Sequence, residues 1–295
     1  PAVDAHLRIV TGGRLADIGS AISHQRAGES KMSANTPTGK KTGTLYLVPA
    51  PLDFGCDAPL PPVTDVLPQA TLQHMARLGH WVCENARTLR ALLKRVHEVQ
   101  ALAQPLQNLD IQEIPRAWHK KGDHVGAPDM ALARTLLAPA LQGHDMALAS
   151  EAGMPAVADP GASLVRAAHA LQIAVVSLVG PSSILLALAA SGLNGQSFAF
   201  HGYLPQDAAA RANRLRELER TASATGQSQW WIETPYRNQA MLQHAVQVLR
   251  PNTLLCLATG LTLPQGRIAT RSVQAWRQQD LAACVDKLPA IFGLA

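Results

Sequence analysis

DMALASEAGMPAVADPGASLVRAAHALQIAVVSLVGPSSILLALAASG, residues 145 to 192, has the pattern strand, loop, helix, strand, loop, helix. MALAS (146 to 150) is a short apolar run closed by a turn cluster. IAVVSLV (173 to 179) is a second run, rich in β-branched residues, as expected of a strand buried on both faces. The first run leads through EAGMPAVADPG into SLVRAAHALQ, whose apolar residues fall at helical spacing, and the second leads through GPSS into ILLALAAS. Two βα units in succession predict a parallel sheet, and in such sheets ligands sit at the carboxyl ends of the strands, beside helix N-termini. Both unusual loops fall on that edge. Gly153 and Gly180 are expected to let a ligand approach the backbone, and Pro155, Pro160 and Pro181 to stiffen the loops. The plainer alternative is that these residues only punctuate turns and that Asp159 caps a helix.

The wording of the two loops carries more than their residue types. SEAGMPAVADPGASLVRAA followed by VGPSSILLALAASGL resembles the paired signatures of the tetrapyrrole methylase family. The resemblance is strongest to the branch that methylates ribose 2'-hydroxyls of 16S ribosomal RNA (cytidine), where the loops are written SDAGTPGISDPG and PGPSALLAALAASGL. It extends more weakly from about Gly43 to the C-terminus.

With 295 residues and 47% hydrophobic content, the chain can bury a sizeable core and form two domains. Residues 1 to 41 mix Gly, Ser, Ala and charge without an apolar core, and are expected to be a flexible leader; Met32, opening MSANTPTGKK, is the expected translation start. There is no apolar run long enough for a transmembrane helix, so no membrane partner is expected. The leader holds Arg8, Arg14, Arg26, Lys31, Lys40 and Lys41 against Asp4, Asp17 and Glu29, a net +3. That leaves 20 basic and 18 acidic residues, +2, on the body, so composition supports RNA binding only weakly. Cys56, Cys83, Cys256 and Cys284 show neither CxxC spacing nor a disulfide framework, which fits a cytoplasmic protein without a zinc site.

TLYLVPAP (44 to 51) is the expected first strand. It is followed by APLDFG where a dinucleotide fold would place GxGxxG, and Asp53 there is a candidate for the cleft or for a solvated loop. HWVCEN (80 to 85) is the second strand, and ARTLRALLKRV (86 to 96) a helix with Leu89, Leu92, Leu93 and Val96 on one stripe. Glu84 to Thr88 resembles the family's EDTRxT, with Asn85 in place of the aspartate. A charge at the end of a buried strand makes Glu84 a site candidate; the alternative is a Glu84 to Arg87 pair beside a helix capped by Asn85. LDIQEIP (109 to 115) is a third strand, WHKKGDH (118 to 124) a basic loop, and Asp129 a helix start. SFAFHGYLP (197 to 205) resembles the family's linker strand, and a charged helix follows over 207 to 220. QWWIETPYR (229 to 237) resembles LIFYESPHR. TLLCLATGLT (253 to 262) stands where the family has VALARELTKxHEE, and the charged run has become Thr259-Gly260-Leu261-Thr262-Leu263. PAIFGLA (289 to 295) is the last strand.

The resemblance implies an α/β protein of two domains, 42 to 194 with a mainly parallel sheet and 195 to 295 with a mixed one, and a cleft between them for S-adenosylmethionine. It implies cofactor contacts at Gly153, Met154, Pro155, Val157, Ser183, Ile184, Ile232 and Ala258, and a homodimer. Methyl transfer is an in-line displacement that needs alignment and, for a ribose hydroxyl, a base, with no metal. Glu84, Glu151 and Glu233 are the candidates for that role. Three functions stay open at this point: methylation of a ribose hydroxyl of ribosomal RNA, methylation of a small tetrapyrrole precursor, and a degenerate protein that binds S-adenosylmethionine or RNA without turnover.

Overall fold

The computed structural model describes residues 41 to 53, 55 to 56, 59 to 115 and 128 to 295. The expected leader up to residue 40 and the basic loop at 118 to 124 lie outside them. The first sheet contains β1 (Thr44–Val48), β2 (His80–Cys83), β3 (Asp110–Glu113), β4 (Met146–Ala149) and β5 (Ala174–Ser177). Their order is β3-β2-β4-β1-β5 and every pairing is parallel. Parallel neighbours need crossovers, and the helices that make them cover both faces. On one face α1 (Gln69–Arg77) and α2 (Ala86–Val99) enclose Val48, Trp81 and the stripe Leu89, Leu92, Leu93 and Val96. On the other, α3 (Met130–Leu136), α4 (Ala138–Leu141) and α5 (Ala162–Ala170) enclose Leu45, Val82, Leu148 and Leu164. Asn85 caps α2, its Oδ1 accepting from the backbone N–H of Arg87 at 2.9 Å, and Asp129 caps α3.

One expectation about this sheet is corrected. The run at 173 to 179 is not buried on both faces: β5 is an edge strand, Val176 is exposed and Val179 is 70% exposed. Its β-branched residues mark a strand but not its depth.

After β5 the chain leaves the first sheet through α6 (Ser183–Ser191), and α6 packs on the second. Its Ile184, Ala187 and Leu188 meet Trp230, Cys256, Ala258 and Ile291, and Thr270 Oγ1 donates to the Ser191 carbonyl at 2.7 Å. The second sheet runs β6 (Phe198–Tyr203), β7 (Ser228–Glu233), β10 (Ala290–Leu294), β8 (Leu254–Thr259), β9 (Arg267–Ser272). β6 and β7 are parallel and the other pairings antiparallel, so the sheet is mixed. Its far face carries α7 (Ala208–Thr225), α8 (Asn238–Val248) and α9 (Val273–Trp276) over Trp231, Phe292 and Trp276. Phe292 stacks on Trp231 with ring centroids 5.6 Å apart, while its neighbour Gly293 accommodates the Trp230 ring, which would lie 2.6 Å from an added Cβ. No helix among the described residues is long and apolar enough to cross a membrane.

Candidate active site

The order of the first sheet places β1 beside β4, so the loops leaving their carboxyl ends meet where the crossovers diverge, as ligand sites in open parallel sheets do. Two reciprocal hydrogen bonds of 2.9 Å between Ala50 and Gly153 join the loops. Ser150 Oγ donates to the Gly153 carbonyl at 3.0 Å. Because α6 docks on the second sheet, the turn before it stands between the two sheets. There the loop 152 to 159 and Ser182, Ser183 and Ile184 form one wall of a cavity of about 410 Å³. Ile232 to Tyr236, Leu261, Lys287 and Pro289 to Ile291 form the other.

Of the residues expected at a cofactor site, Gly153, Met154, Val157, Ser183, Ile184 and Ile232 line this cavity. Pro155 and Ala258 do not. Pro155 is buried, and Ala258 is fully buried beside its register partner Ile291 in the cluster that α6 covers. The glycines also answer to the fold. A Cβ on Gly153 would come 3.2 Å from Leu52 Cδ2, and its φ of +70° is one that side-chain-bearing residues seldom adopt, so packing and backbone conformation require a glycine at this cavity-lining position. Gly180 lies outside the lining, and its Cβ would fall 2.3 Å from the Pro49 ring. Asp53 is neither solvated nor in the cleft wall: its carboxylate pairs with Arg95 at 2.8 Å.

The three candidate glutamates part company. Glu233 lines the cavity with its side chain wholly buried. Its Oε1 accepts from the Thr234 N–H at 2.8 Å, and its Oε2 makes an ion-pair contact with Arg237 at 3.0 Å, without hydrogen-bond geometry. Both oxygens are engaged in fixing the turn that presents Thr234 and Tyr236. Glu84 and Glu151 stand outside the lining. Glu84 has no ion pair with Arg87; its Oε1 is buried without a hydrogen-bond partner, and burial, helped by the charge of Glu151, pushes its carboxyl up to about 7. Glu151 accepts from Thr88 Oγ1 at 3.1 Å.

Sequence reasoning missed the group that faces the cavity. Asp159 lines it, and burial followed by the charges of Glu84 and Glu151 raises its carboxyl to about 7. It does not cap α5, whose N-cap is Gly161. The tyrosine beside it, Tyr203, is pushed up by burial and then by Asp159 and Glu233. A carboxyl balanced near neutrality can accept a proton from a hydroxyl. Its signal was present in the wording ADPG, which matches the SDPG of the resembled loop. Tyr236 and Lys287 carry no comparable local signal.

Comparison with known proteins gives the family. The model of the tetrapyrrole (corrin/porphyrin) methylases matches residues 70 to 268. The chain belongs to this family. Among curated methylase relatives, a ribosomal RNA small subunit methyltransferase I from Xylella fastidiosa is 34% identical over 177 residues, 60% of this chain and 54% of that protein. The protein of the same name from Escherichia coli O157:H7 is 36% identical over 220 residues, 75% of this chain and 66% of the relative. The matched stretch thus spans between about half and two thirds of these relatives. A crystal structure of the methyltransferase CobJ shares the methylase fold, with a TM-score of 0.50 at 16% identity over 85% of this chain and 94% of that one.

In Thr259-Gly260-Leu261-Thr262-Leu263, Thr259, Gly260 and Leu263 are buried, and the Gly260 N–H donates to the Pro289 carbonyl at 3.0 Å. The family's charges fall at these three buried positions; Leu261, which matches the leucine of the family's run, faces the cavity, and Lys287, from the segment before β10, brings a cation to the same wall.

Proposed function

We propose that this methylase transfers a methyl group from S-adenosylmethionine to a ribose hydroxyl of ribosomal RNA, with residues 42 to 194 and 195 to 295 as its two domains. The observation that carries the proposal is the convergence of both signature loops on one cavity wall, beside a half-buried carboxyl poised near neutrality. The relatives' names supply the acceptor.

The residues present fit the cofactor. The volume suits a ligand of that size, and Met154, Val157, Ile184, Ile232, Leu261 and Ile291 offer an apolar surface for an adenine ring. Ser182, whose hydroxyl makes no capping bond to α6, together with Ser183 and Thr234, offers polar atoms to an amino-acid end. The carboxylates favour the cationic sulfonium. When bound, the cofactor supplies an electrophilic methyl carbon. The chain's own contribution is alignment by the two walls, a turn fixed by Glu233 and Arg237, and Asp159 as acceptor of the hydroxyl proton. Glu84 and Glu151 act through Asp159, holding its affinity for that proton near the working pH. The exposed edge of β5 with Val176, Val179 and Leu185 supports the homodimer that the resemblance implies. The four free cysteines are consistent with the cytoplasm, where ribosomal RNA is made.

Titration calorimetry with S-adenosylmethionine, followed by transfer of labelled methyl to purified small ribosomal subunits lacking the modification, tests the proposal. Heat of binding and alkali-stable label in RNA are expected. Heat with label only in a tetrapyrrole precursor would move the reading to the small-molecule alternative, and neither heat nor label would end it.

A further inference from the structure

We propose that the solvent face of α2, carrying Arg87, Arg90 and Lys94, is the track on which this protein holds the phosphate backbone of a single RNA strand next to the nucleotide it modifies. The proposal rests on the ribosomal RNA reading above and assigns it a surface. The helix buries Leu89, Leu92, Leu93 and Val96. On the opposite side Arg87, Arg90 and Lys94, at i, i+3 and i+7, are all exposed and line one face of an open groove of about 590 Å³ with Leu106 and Gln107. None of the three has an ion-pair partner among the described residues. Arg95, on the same helix, is paired with Asp53 and also donates to the Pro61 carbonyl. The helix thus separates one structural arginine from three unpaired cations.

Their charge is left over by the fold. A cation is disfavoured in the first turn of a helix, where the macrodipole is already positive. Arg87 stands there; the acid that meets this helix end is Glu113 of β3, whose Oε1 accepts from the Ala86 N–H at 2.7 Å, and the helix's single acid, Glu98, lies in its last turn. Neither glutamate forms an ion pair with Arg87, Arg90 or Lys94 among the described residues, so the three charges are available to a contact outside the fold. The surface also leads to the cavity. Thr88, between the two arginines, donates to Glu151, and the residues directly after Glu151 form the cavity wall. Seven helical steps from Arg87 to Lys94 cover about 10 Å, long enough to meet more than one phosphate of a strand. A strand whose ribose enters the cavity would therefore lay its neighbouring phosphates on this stripe. The folded body is nearly neutral, so this attraction is local and does not come from net charge.

The test is binding of a short labelled oligouridylate to the full chain over a salt series, comparing Arg90→Gln/Lys94→Gln with the charge-matched pair Arg134→Gln/Arg271→Gln. Losing two phosphate contacts on a single strand should lower the log–log salt slope by about 1.4 and weaken binding by roughly tenfold near physiological salt. The control pair should change either quantity by less than half as much, and heat of S-adenosylmethionine binding should persist in both. Equal loss in the two pairs, or no loss in the first, would overturn the assignment of α2 while leaving an RNA-methylating wild type intact. Displacement of the oligouridylate by polyglutamate at equal charge would also overturn it, since the surface would then be an acidic-peptide site. A wild type that neither binds RNA nor labels ribosomal subunits would remove the RNA reading itself, and this surface with it.

Discussion

Replacing Glu84 by glutamine should stabilise this protein, and by an amount that depends on pH. The wild-type carboxyl is raised from 4.5 to about 7 in the native state, first by burial and then by the charge of Glu151. The native state therefore holds a proton that the unfolded chain gives up. Its contribution to stability is fully present below about 4.5 and is lost as pH rises through about 7. The full difference corresponds to roughly 3 kcal/mol at about 1.36 kcal/mol per pKa unit. Because the side chain keeps some exposure, the variant's advantage over wild type should grow by roughly 2 kcal/mol between about pH 5 and pH 8. Urea unfolding at the two pH values measures this. The same substitution removes a charge that helps raise Asp159, so the acid limb of a kcat/KM profile should move to lower pH. An advantage equal at both pH values, with an unmoved limb, would refute the idea that Glu84 is an ionisable group held against its preference.

Ala156 has a φ of +64°, where the resembled loop has glycine, so Ala156→Gly should raise stability by up to about 1 kcal/mol in chemical unfolding; a loss would show that the alanine methyl packs better than its backbone suffers. Gly293→Ala drives a Cβ to within 2.6 Å of a wholly buried Trp230 ring and should cost at least about 2 kcal/mol, read as a lower urea midpoint. Tyr236 is 90% exposed at the cavity. Tyr236→Ala should lower kcat/KM for RNA by about five- to tenfold, the value of roughly one base stack, and Tyr236→Phe should not; equal losses in both would rule out stacking.

What the sequence disclosed follows from where each contact comes from. β4 was legible because all four of its residues are buried and apolar, and α2 because its stripe and its Asn85 cap are local. β9 was not, since RIATRS is a half-exposed edge with polar residues throughout. The depth of β5 was misjudged because β-branched residues suit an edge as well as a centre. In the site, the loop residues Gly153, Met154 and Val157 were found from their wording. Tyr236 and Lys287 were not: Tyr236 stands where the resembled LIFYESPHR has histidine, and Lys287 falls in none of the matching stretches. Ala258 was placed by motif position, which does not reveal that it is buried with Ile184, Ala187 and Leu188 of α6.

α6 belongs to one half by chain order and to the other by packing. Neither half has a finished surface without it: a fragment ending near residue 194 would carry Ile184, Ala187 and Leu188 bare to water, and the remainder would expose Trp230 and Ile291. The cavity beside its first turn is therefore a product of assembly that no partly folded species contains. A ligand that fills it should act as a clasp, slowing loss of the whole fold and not of a single half. Proteolytic nicking in the turn at 192 to 197 becomes a gauge of how often that clasp opens.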